Sequence, residues 1–115
     1  MKEFMMIFIG ADYADLGLSP EQVEERMSKW FAWGSKMENA GILRGGHALT
    51  PNIRRVAGAQ RTVSDLTAAE VKEIVGGYYI VEANDIDQVQ EVAQDFPDYD
   101  LGGTVEIREI MMFDR

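Results

Sequence analysis

The first patterned stretch of the chain is Phe4-Met5-Met6-Ile7-Phe8-Ile9, apolar at every position and closed by Gly10-Ala11-Asp12. A short apolar run bounded by turn-formers has the length of a strand buried on both faces and is far below a membrane span. Glu3 precedes the run and no cleavage-type site follows it, so it reads as a first strand and not as a signal peptide. The period then changes. Val23, Met27, Trp30, Phe31, Gly34 and Met37 recur at spacings of three and four, which predicts one apolar stripe on a helix of about five turns. Ser19-Pro20-Glu21-Gln22 opens that helix as a capping box with proline at the first helical position, and Gly41 closes it. Trp33 falls off the stripe and needs another partner.

Ile42 to Leu49 reads as a second strand interrupted by Gly45-Gly46, and Pro51-Asn52 breaks the chain after it. Ile53–Ala57 and Arg61–Ser64, joined through Gly58-Ala59, predict a loose hairpin. Thr67-Ala68-Ala69-Glu70 repeats the capping-box pattern and predicts a single helical turn. Ile74–Ala83 is the strongest strand signal. Asp85 with Gln88 caps a second helix whose stripe is Ile86, Val89, Val92, Ala93 and Phe96; Pro97 stops it, and Gly102-Gly103 turns into a last strand, Thr104–Phe113.

Strand, helix, strand, hairpin, strand, helix, strand is the order of an α+β, ferredoxin-like βαββαβ domain with an antiparallel sheet and a small hairpin insertion. Residues 1–115 fit one domain, with no linker, repeat or low-complexity segment to divide them. Two helices cover one face of such a sheet, yet the first strand is apolar on both, and so are the Tyr78/Ile80 and Tyr79/Val81 pairs. Leaving such side chains wet forgoes about 1.5–3 kcal/mol each. The expectation is therefore a homodimer that pairs through sheet faces.

Composition narrows the function classes. With 20 acidic against 11 basic residues the net charge is −9, and no basic stripe offsets it, so nucleic acid is not an expected partner. The chain has no cysteine, which removes disulfides, thiol nucleophiles and thiolate metal sites and fits a cytoplasmic location. Nothing suggests a membrane association, and no P-loop, dinucleotide fingerprint or Gly-x-Ser-x-Gly elbow is present, so no cofactor is expected.

Candidate chemistry centres on His47, the single histidine, in Gly45-Gly46-His47-Ala48-Leu49. One histidine cannot build a multi-histidine metal site, and no metal is expected; as a residue type it suits general acid–base work. A partly buried imidazole hydrogen-bonded at a strand end explains it equally. Gly45 and Gly46 permit close approach of backbone or ligand, although a bulge accounts for them too. Asp65, in Val63-Ser64-Asp65-Leu66, could orient His47 through one ring nitrogen, or act as a turn carboxylate bonded to its own backbone. Arg44 could meet an anionic group, or be a surface arginine, and Tyr79 could offer a hydroxyl or simply pack in the core. A small-molecule ligand in a cleft beside these residues is the expected partner besides a second copy.

Several segments together resemble the YCII-related family of the DGPF type, in the dimeric α/β-barrel superfamily. They are the start Met1-Lys2-Glu3-Phe4-Met5-Met6-Ile7-Phe8, the Leu18-Ser19-Pro20-Glu21 helix opening, Ala40 to Pro51 around His47, Glu70 to Val81, and Val105-Glu106-Ile107-Arg108. The resemblance implies a ferredoxin-like fold that dimerises through its sheets. It also implies a dimer-related cleft, in which a histidine–aspartate pair has been proposed for some relatives. The family's Asp-Gly-Pro-Phe-Ala-Glu stretch is Asp65-Leu66-Thr67-Ala68-Ala69-Glu70 here, without the Gly-Pro turn or the aromatic. The histidine proposed for those relatives lies in the first helix, which has none here, and His47 stands where many members carry glutamate. What carries over is an ionisable residue at a pocket position with a matched aspartate.

Overall fold

A computed structural model describes residues 1–67, 70–71 and 73–113 of the chain. Its main sheet has four strands, β1 (Lys2–Gly10), β2 (Leu43–Ala48), β5 (Ile74–Ala83) and β6 (Thr104–Glu109), in the order β2-β5-β1-β6 with every neighbour antiparallel. The strands β3 (Ile53–Ala57) and β4 (Thr62–Leu66) form a separate two-stranded sheet. With that hairpin set aside, the order is fourth-first-third-second, the ferredoxin-like α+β arrangement, with helices α1 (Pro20–Asn39) and α2 (Ile86–Ala93) as the crossovers.

Local chemistry sets the element ends. Ser19 Oγ accepts from Gln22 N at 3.2 Å while Gln22 Oε1 accepts from Ser19 N at 2.9 Å, the reciprocal capping box anticipated from the sequence. Gly41 takes a left-handed φ of 74° past the end of α1. Asp85 Oδ1 accepts from Gln88 N at 3.0 Å and caps α2. The expected turn from Thr67 includes residues 68 and 69, which lie outside the described residues. At its ends Thr67 N donates to Glu70 Oε2 and Glu70 N to Thr67 O, each at 3.1 Å.

Beneath the helices Phe4, Met6, Phe8 and Val81 from the sheet meet Trp33 and Met37 from α1, and Val89 and Ala93 from α2 with Phe96 just beyond it. This corrects the helix stripe. Trp33 is buried with Met37, whereas Phe31 is 68% exposed. Aromatic packing turns α1 so that Trp30 and Trp33 both reach Phe8, and Phe31 is carried outward. The last strand also ends sooner than expected: Met111, Met112 and Phe113 continue beyond it and are exposed.

On the helix-free face, Met5, Ile7 and Ile9 of β1 lie beside Ile80 and Tyr78 of β5, all half-buried. No described helix is long and apolar enough to cross a membrane.

Candidate functional site

One end of the main sheet opens into a cleft of about 380 Å³. Its floor is the end of β1, where Phe8 packs at 5.0 Å from Trp30, 5.3 Å from Tyr79 and 5.5 Å from Phe96, ring centre to ring centre. Such offset and edge contacts are the favoured geometries for aromatic pairs. Phe31 and Leu49 stand at the mouth, both exposed.

The glycine pairs shape this end of the sheet. Gly46 lies opposite Tyr79 across the β2–β5 ladder, with φ at 157°. A Cβ on Gly46 would run into the Tyr79 ring and sit 2.5 Å from the Tyr78 carbonyl oxygen. A Cβ on Gly77 would lie 2.8 Å from the carbonyl oxygen of His47. The close approach that the glycines permit is thus between the two strands, and it frees the Tyr79 ring to lie along the cleft wall. A register shift between Leu43 and Gly45 makes the interruption in β2 a bulge-type irregularity.

A polar relay closes one end of the cleft. The Trp30 indole Nε1–H donates to the Tyr13 hydroxyl at 2.9 Å, and Tyr13 donates to Asp98 Oδ2 at 2.7 Å. Arg26 ties this corner to α1: it donates to both carboxylate oxygens of Asp100, at 2.6 and 2.5 Å, and to the Pro97 carbonyl at 2.8 Å. Asp98 Oδ1 is buried, 3.6 Å from Arg26 Nη1 and without a hydrogen-bond partner among the described residues. Burial, and then the Asp98 acceptor, hold the Tyr13 phenol well above its ordinary 10.0, so it stays a neutral donor. Burial also raises Tyr79. The Arg26 hydrogen bonds hold the Asp100 carboxylate below its ordinary range.

The residues singled out in the sequence are distributed unevenly around this geometry. His47 and Tyr79 line the cleft. His47 is exposed and meets Tyr78 edge-on at 5.9 Å. Arg44 points elsewhere, donating from Nε to Glu82 Oε2 at 2.8 Å and from Nη1 to the Gly41 carbonyl at 2.8 Å. Gly45 and Gly46 sit behind the cleft wall and are not among the residues that line it. Asp65 lies on the hairpin, where its Oδ1 accepts from Arg54 Nε at 2.9 Å, and it borders a separate, more open hollow with Asn52 and Thr67. Within one chain, then, His47 and Asp65 belong to different cavities.

Tyr13, Arg26 and Asp98 escaped the reading of the sequence. Their spacings, 85 residues between Tyr13 and Asp98 and 71 between Arg26 and Pro97, are bridged only by the fold. The one sequence signal was Trp30 itself, whose buried indole N–H requires an acceptor. Among the described residues no group of three or more His, Asp or Glu is placed to hold a metal ion.

Comparison with known proteins adds the family. A search of curated proteins gives no matching relative. The family model for the YCII-related domain matches residues 4–114, nearly the whole chain, and the protein belongs to the YCII-related family.

Proposed function

We propose that this protein handles a small molecule in the cleft between Phe8, Trp30 and Tyr79, and does so as a homodimer joined through the helix-free face of its sheet. The observation that carries the first half is the cleft itself. A concave, largely apolar cavity with aromatic walls and a few convergent polar groups is the usual form of a small-molecule site, and at about 380 Å³ it suits a compact ligand. The half-buried Met5, Ile7 and Ile80 on the open face support the second half.

His47 at the rim is the group suited to exchanging a proton with a bound molecule, because an imidazole can act as acid or base near neutral pH. An acid–base pair with Asp65 would need the carboxylate to leave Arg54 or to come from a second copy, so the single-chain geometry favours His47 acting without it. Binding without turnover uses the same cleft and remains the alternative to catalysis.

The test is a small-molecule screen read by NMR of the two tryptophan indole N–H groups. Trp30 lines the cleft, whereas the Trp33 indole is bonded to the Val92 carbonyl at 3.1 Å. A cleft ligand is expected to shift Trp30 and His47 together and Trp33 less. Hits that instead shift only Arg54 and Thr67 would move the site to the hairpin hollow and overturn the reading. Light scattering at micromolar concentration checks the dimer, which a monomer would refute.

A further inference from the structure

The chemistry of the cleft lining is one-sided. Apolar and aromatic side chains dominate it, and its fixed charges are the carboxylates of Asp12 and Asp98; among the described residues no lysine or arginine lines it, and its one ionisable base is His47 at the rim. Arg26 is near Asp98 but committed, with two hydrogen bonds to Asp100 and one to Pro97, and it leaves Asp98 Oδ1 without a hydrogen bond. Asp98 and Asp100 share the single guanidinium of Arg26, and Asp12 adds a second carboxylate to the lining. Tyr13 adds a neutral donor and no compensating cation. The charge of the whole chain, −9, has the same sign.

A ligand meets two fields here, and they agree. The faces of Trp, Tyr and Phe rings attract cations through their quadrupole, most strongly where water is excluded. The carboxylates attract the same charge, and the acidic molecule around them steers it inward. An anion is opposed by both fields, and a neutral molecule gains only from apolar burial.

We propose, resting on the ligand-site reading above, that the cleft selects a small organic cation: an ammonium group on an apolar or aromatic body, held against the rings of Trp30 and Tyr79 with Asp98 as its counter-charge. The class could be a primary amine or a methylated ammonium, since both present the same charge to the rings.

Three probes of matched size decide it: benzylammonium, benzyl alcohol and benzoate. Each is titrated into the full chain to ~10 mM at pH 8 and low salt, a range that captures millimolar affinities. Tryptophan fluorescence gives the binding curve and the Trp30 indole N–H resonance locates it. Benzylammonium is expected to bind at least ~10-fold more tightly than the alcohol, with benzoate weakest. Asp98→Asn, whose amide oxygen can still accept from Tyr13, should bring the cation to within about 3-fold of the alcohol. If that variant does not fold, salt dependence of the native protein replaces it: added NaCl should weaken benzylammonium and leave the alcohol unchanged. Equal affinity for alcohol and cation, or a preference for benzoate, overturns the cation inference while the ligand site stands. No response at Trp30 to any probe overturns both.

Discussion

The cleft end of the main sheet and the β3–β4 hairpin are both antiparallel β-structure, yet they are held by different means. At the cleft end the ladder is backed by Phe8 and Trp30, which pack on each other and on both Tyr79 and Phe96, and by the relay from Trp30 through Tyr13 to Asp98. Along the hairpin no residue is fully buried. Val56 and Val63, paired across the ladder, are each 60% exposed, and the Arg54–Asp65 ion pair stands in solvent. Backbone pairing alone leaves a two-stranded hairpin marginal in water. The lesson for function is that the cleft has closely packed walls and a hydrogen-bonded corner, whereas the hairpin offers surface without a core behind it.

Substitutions can break that contrast, beginning with the largest effect. Phe8→Ala removes the ring on which the cleft floor rests, at 6% exposure, and should cost about 3–5 kcal/mol in urea denaturation. Gly46→Ala forces a methyl group toward the Tyr78 carbonyl and the Tyr79 ring. It should cost roughly 1–3 kcal/mol, toward the upper end because one neighbour is backbone, and should displace Tyr79 in a crystal structure of the variant.

Tyr13→Phe leaves the Trp30 indole and Asp98 Oδ2 without their shared partner and should cost about 1–2 kcal/mol. It carries a pH signature too. The phenol is raised above its ordinary 10.0 in the folded state, so folding favours its protonated form. Its contribution is complete below pH 10.0 and is lost as pH climbs from there through the raised folded-state value. Denaturation followed into the alkaline range should therefore show a steeper loss in the native protein than in Tyr13→Phe; equal slopes would remove the role of the relay.

Arg54→Ala should change stability by no more than about 0.5 kcal/mol, because the pair it breaks is 70% and 73% exposed. A larger loss measured at micromolar concentration, absent on dilution, would mean that the hairpin docks on a second copy and would erase the contrast drawn between the two regions.

Local signals placed nearly every element. Ser19 and Gln22, Asp85 and Gln88, and Gly41 are short-range chemistry, satisfied by neighbours within a few residues, so they are readable along the chain. The succession of strand and helix periods along the chain gave the ferredoxin-like order in the same way, since neither period requires knowledge of the partner element. The rotation of α1 was not readable. Trp30, Phe31 and Trp33 are all large and apolar, and which of them faces inward depends on Phe8 and Tyr79 arriving from two strands and Phe96 from the loop after α2.

The site divides along the same line. By itself the sequence determined that His47 follows a glycine pair, that a second pair, Gly76-Gly77, precedes Tyr78 and Tyr79, and that the chain is strongly acidic. Only the tertiary structure decided that Asp65 turns to Arg54, that Arg44 turns to Glu82, and that Tyr13 and Asp98 meet at the cleft. Hydrogen-bond geometry between side chains tolerates errors of only a few tenths of an ångström. Residue types and spacings settle which backbone elements form, but contacts between residues 85 positions apart depend on how those elements pack, and that is a property of the assembled core.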